Sequence, residues 1–238
     1  MFSSHRQYLL RERVLQVAAP DAAENTRFKF NVSPAAVQVT QTVRPCEVVV
    51  NRVAQIVLVS STLLGSWLGM QLLHESGHIV AAPLTGGRVS RVVLDPTTIS
   101  RTDLSSNPRP LVVVWAGPIV GATVPLVLWG VAISLRLSAA FLMRFFAGFC
   151  LIANGLYISF GSINGVGDCG EMLRYGSMPW HLWLFGAVTV PVGLWLWHGQ
   201  GPHFGFGENG CTINSRIAIG CLATSVALLV LGLVVGGK

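Results

Sequence analysis

Residues 53–82, VAQIVLVSSTLLGSWLGMQLLHESGHIVAA, decide how the chain is read. Val53 to Leu73 is almost uninterruptedly apolar, and Ile79-Val80-Ala81-Ala82 resumes the run after a short polar island. About 20 such residues cross a hydrocarbon core as a helix, so Val53 begins a membrane span that reaches His74 near the far boundary. Water then has access to the island from that side.

The island is His74-Glu75-Ser76-Gly77-His78, a His-Glu-x-x-His pattern. Residues i and i+4 of a helix lie one above the other, so the two imidazoles converge on one point. Zinc takes neutral imidazole nitrogens at about 2.0–2.1 Å, and a catalytic zinc keeps one position open for water. Glu75, next to the first histidine, is placed to take a proton from that water and return it to a leaving amine. Packed core histidines are the plainer alternative. The apolar setting weighs against it, because such side chains are costly in a membrane helix unless paired or metal-bound.

Composition widens this reading to the whole chain. Mean hydropathy is +0.60, hydrophobic residues make up 52% and charged residues 11% of the 238 residues, whereas an average soluble domain carries about 25% charge. The expected fold class is an all-α polytopic membrane protein, with about five transmembrane helices and a small β-hairpin element between the first two. The net charge of +6 has its largest local share in the first thirty residues, and the other arginines are scattered between apolar runs. That distribution suits membrane flanks, in contact with the lipid bilayer, and gives no basis for nucleic acid as a partner. The five cysteines form no C-x-x-C pair and suggest neither a disulfide framework nor a cysteine zinc site.

Two domains are expected. Residues 1–47 form a polar segment without a secretory signal. Leu9, Leu10, Val14, Val17 and Ala18 fit an interfacial helix, with a mobile tail the equal alternative, and Phe28 to Val39 hints at a hairpin. Residues 48–238 form the membrane-embedded domain. Its further spans run from about Leu111 to Leu135, Phe141 to Ser162, Trp180 to Trp197 and Ile217 to Val235. Tryptophans at both ends of the fourth mark the interfaces. Ala116-Gly117-Pro118 in the second predicts close packing on the metal helix. Between the first two, Val89 to Val93 alternates as a strand beside the site mouth, where an exposed edge could pair with an extended substrate. His198 and His203 read as loop histidines.

A third ligand has few sources. Between Leu104 and Gly207 the only acidic residues are Asp168 and Glu171. Asp168 is preferred, because flanking glycines free the backbone to approach a metal, while Glu171 falls where a helix restarts; a helix cap is the alternative role. Asn154 and Asn164 are candidates for hydrogen bonds across the bundle, and Asn164 is close enough in sequence to Asp168 to contact substrate.

These motifs resemble the site-2 protease type of intramembrane zinc metalloproteases. The resemblance rests on His74 to His78, Ala81-Ala82, Gly86-Gly87-Arg88-Val89, Ala116-Gly117-Pro118 and the aspartate of Gly167-Asp168-Cys169-Gly170, and covers roughly Val53 to Arg174. It implies Zn2+ held by His74, His78 and Asp168, Glu75 as base, and membrane protein substrates cut within or beside the bilayer. Here Gly167 and Cys169 flank the aspartate where the family has Leu-Asp-Gly, and no room for a substrate-selecting module is expected within these 238 residues. The expected location is a multi-pass position in the cell (inner) membrane. The arginines from Arg88 to Arg109 favour a cytoplasmic mouth, while the basic head pulls the other way. A non-catalytic metal-binding scaffold, closed for instance by Cys169, and a zinc hydrolase of a lipid or small amide are the competing functions.

Overall fold

The computed structural model describes residues 45–97, 99–207 and 212–236. The interfacial helix and hairpin expected within residues 1–47 lie outside them. In chain order the elements are α1 (Pro45–Leu84), β1 (Arg88–Val93), β2 (Arg101–Ser106), α2 (Pro110–Ser134), α3 (Ala140–Asn164), α4 (Asp168–Arg174), α5 (Pro179–Trp197), a 3-10 turn (Gly201–Phe204) and α6 (Ser215–Gly236). Five of the described helices are long and apolar enough to cross a membrane, and the hairpin sits between α1 and α2. The protein is an integral, multi-pass membrane protein.

The expected spans agree with these helices to within about three residues at each end, except in α1. There the helix continues beyond the histidine pair to Leu84 and measures 40 residues. At 1.5 Å per residue it is about 60 Å long, twice the hydrocarbon thickness. The polar island therefore lies well inside a helix rather than at its end.

Packing follows a zigzag in which α6 lies on α1, α1 on α2, α2 on α3 and α3 on α5. Glycines set the closest approaches. A Cβ on Gly77 of α1 would stand 2.8 Å from Gly117 Cα of α2 and 2.7 Å from the Ala116 carbonyl carbon. Ala116-Gly117 is thus the crossing point on the metal helix, as the small residues lead one to expect.

The turn after α3 brings the chain back to this crossing. Gly165 ends the helix in the left-handed region at φ 59° and Gly167 follows at φ 62°, conformations that cost little only for glycine. Short α4 is then pinned by burial of Cys169 and Met172 against Val114, Ile158 and Leu182. Burying a side chain such as Met172 stabilises by about 1.5–3 kcal/mol, enough to hold Asp168, the first residue of the same helix, in place.

The hairpin is antiparallel, with Val92 opposite Thr102 and Val93 opposite Arg101, and its register shifts around Ser90. It is anchored to α1 through Gln71, whose Oε1 accepts from the Ser100 amide at 3.2 Å and from the Ser100 hydroxyl. Strand β2, not β1, contributes the wall next to the polar island.

Candidate metal centre

Gln71, His74, Glu75 and His78 recur at i, i+3, i+4 and i+7 and are all buried on one stripe of α1. The orientation of each imidazole is fixed from behind. His78 Nδ1 lies 2.8 Å from the Val113 carbonyl oxygen, which can only accept, so Nδ1 carries the proton. His74 Nδ1 lies 2.7 Å from Asn154 Oδ1. Asn154 Nδ2 donates to the Cys150 carbonyl at 2.9 Å, which sets the amide with its oxygen toward His74. That ring, too, is protonated on Nδ1.

Both Nε2 atoms therefore present lone pairs on the other side, where they meet a carboxylate. Asp168 Oδ2 is 2.7 Å from His74 Nε2 and 3.5 Å from His78 Nε2. Two neutral imidazole nitrogens and an ionised oxygen, all within 4.8 Å of one another, repel unless a cation lies between them. The donor set and its second layer of hydrogen bonds fit zinc.

Gly117 makes the convergence possible. A Cβ there would stand 2.8 Å from His74 Nε2 and closer still to His78 Nε2. Glu75 is buried beside the pair, and its Oε2 accepts from Thr102 Oγ1 of β2 at 2.7 Å. The sequence reading did not single out Thr102. The strand expected beside the site is Val89 to Val93, whereas Thr102 comes from its partner strand β2.

Glu171 is exposed in the first turn of α4, lines the cavity and does not join the metal-capable group. Asn164 is exposed at the end of α3, outside the cavity lining; the asparagine that touches a histidine is Asn154. Cys169 turns away. Its thiol donates to the Tyr157 and Ile158 carbonyls at 3.3 and 3.6 Å, and burial pushes it up to about 11. It sits in the apolar core and offers no ligand. His203 stacks on Phe141 at 5.2 Å and His198 supplies a carbonyl to Arg144, both away from the cavity lining.

The group opens into a cavity of about 770 Å3 walled by α1, β2, α2, α3 and α4. The Peptidase M50B-like family matches residues 49–163, which take in His74, Glu75 and His78 and end before Asp168. No curated protein and no solved structure matches the chain.

Proposed function

Because the chain belongs to the Peptidase M50B-like family, the site-2 protease family, we propose that it is an intramembrane zinc endopeptidase that hydrolyses peptide bonds of membrane protein substrates. The observation that carries this reading is the convergence of His74 Nε2, His78 Nε2 and Asp168 Oδ2 beside the buried Glu75 carboxylate. These three side chains would hold zinc, which supplies a polarised carbonyl and a water of lowered pKa.

The protein's own groups do the rest. Glu75, steadied by Thr102, takes a proton from the attacking water and passes it to the leaving nitrogen. Asn154 and the Val113 carbonyl keep both rings in the ligating tautomer. An unwound stretch of substrate enters the cavity along β2, whose edge away from β1 pairs with no other strand among the described residues and can take an extended backbone. Arg88, Arg91, Arg101 and Arg109 support a mouth on the cytoplasmic side of the cell membrane, against the opposite pull of the basic head of the chain. The structural-metal alternative is disfavoured because Cys169, its natural fourth ligand, is engaged by the Tyr157 and Ile158 carbonyls.

The test is zinc content and peptide cleavage of the detergent-purified protein. Wild type carries about one zinc per chain; His74→Ala and Asp168→Ala lose it. Glu75→Gln keeps zinc and loses at least about 100-fold in turnover, the contribution of a positioned general base. Cleavage by Glu75→Gln at the wild-type rate removes the glutamate from the mechanism. Zinc without cleavage of any membrane protein substrate favours the scaffold, and cleavage of a lipid amide alone favours the third reading.

A further inference from the structure

Resting on that reading, we propose that Tyr157 is a catalytic residue, the hydrogen-bond donor to the anionic oxygen that forms when water adds to the scissile carbonyl. It lies on the same face of α3 as Asn154, three residues further on. Asn154 bonds one side of His74, and the Tyr157 ring meets the same imidazole edge-on, with centroids 5.9 Å apart at 74°. Tyr157 thus forms the α3 wall of the cavity, facing the β2 wall from which Thr102 holds Glu75.

The phenol is arranged as a donor. Its oxygen already accepts the Asp168 backbone amide at 3.2 Å, which occupies a lone pair and fixes the hydroxyl beside the third ligand. Its own proton meets no acceptor among the described residues, although the side chain lines a cavity next to a buried glutamate and two histidines. A hydroxyl whose acceptor is supplied only during the reaction satisfies both facts.

The chemistry asks for such a group. When the water oxygen bonds to the carbonyl carbon, the π pair moves to the carbonyl oxygen, and Glu75 holds the proton released by the water. The new oxyanion is stabilised by a preorganised donor in a water-poor site, and removing one such donor typically costs about 100- to 1,000-fold in turnover. Tyr157 keeps its proton throughout and only shares it.

The experiment compares wild type with Tyr157→Phe, which removes the hydroxyl and little else. Zinc per chain is measured first. Affinities are then read by calorimetry for two probes: a Leu-Leu phosphinic pseudodipeptide, whose charged oxygen imitates the tetrahedral state, and a simple alkylthiol, which has no such oxygen. Tyr157→Phe is expected to keep its zinc and its thiol affinity while binding the phosphinate about 100-fold more weakly. Unchanged phosphinate binding with zinc retained overturns the proposal. Loss of zinc in Tyr157→Phe overturns it as well, because the hydroxyl would then serve to hold the Asp168 amide. If zinc-loaded wild type itself fails to bind the phosphinate, the peptidase reading falls first and this role with it.

Discussion

Two cavities of nearly equal size flank α2. The one holding the histidine pair measures about 770 Å3, and the groove between α2 and α5 about 800 Å3. The same helix lines both, showing Val113 and Val114 to the first and Trp115, Ile119 and Thr123 to the second. In the groove the indole of Trp115 and the hydroxyls of Thr123 and Thr189 are engaged locally. Trp115 Nε1 donates to Ser177 Oγ at 2.9 Å, and Thr189 Oγ1 donates to the Phe185 carbonyl at 2.8 Å. In the first cavity the lone pairs of two imidazoles and a carboxylate point inward at one another. Volume therefore does not distinguish a site here; unsatisfied convergent chemistry does.

The comparison is broken most forcefully at two glycines, one on each side. Gly117→Ala drives a methyl group into the Nε2 atoms of both histidines. Displacing reacting groups by about 1 Å costs about 100-fold, so zinc affinity and turnover are each expected to fall by at least that factor. Gly155→Ala drives a methyl into Thr189 and to 2.9 Å from Val190 Cγ2 at the α3–α5 contact. This is overpacking of an apolar crossing, expected to cost about 1–3 kcal/mol of stability with zinc retained. Zinc titration and thermal unfolding of both variants check the contrast. A Gly155→Ala protein that loses zinc while Gly117→Ala keeps it would reverse the assignment.

Much of this difference was legible in the sequence because membrane spans and His-Glu-x-x-His are local signals. Apolar runs of about 20 residues define helices with little help from tertiary structure, and an i, i+4 pair shares a face whatever surrounds it. What supports the pair was less legible. Asn164 lies only four positions before Asp168, but Gly165 and Gly167 reverse the chain between them, leaving Asn164 outside. Asn154, fourteen positions away, arrives at His74 because α3 crosses α1 there, and no periodicity fixes which turns of two helices meet. Thr102 was hidden for the same reason, since alternation gives the face of a strand and not its partner.

Asn154 supplies the next test. Asn154→Leu keeps the volume and removes the acceptor that orients His74. Losing such an outer partner typically weakens metal binding about 10- to 100-fold, and zinc titration should find a loss in that range. Asn154→Asp keeps the oxygen acceptor toward His74 but gives up the donation to the Cys150 carbonyl, and is expected to fall between Asn154→Leu and wild type. Equal affinities for all three proteins would mean that His74 is oriented by packing alone, against Tyr157 and His78.

The smallest effect separates the two cavities by one identical substitution. Thr102→Val removes the hydroxyl that donates to Glu75 Oε2 while preserving shape, and Thr189→Val does the same in the groove, where the hydroxyl serves only its own helix. The first change leaves all three ligating side chains untouched but lets the base swing or rotate before it meets the water. Loss of one charge-assisted hydrogen bond corresponds to about 1.5 kcal/mol, or about tenfold in turnover, with zinc content unchanged. Thr189→Val should leave turnover within twofold, about 0.4 kcal/mol, because its hydroxyl faces no reacting group. Steady-state cleavage rates of the two valine variants read this directly. Equal rates would mean that Glu75 is held by its helix alone and that β2 serves the substrate rather than the base.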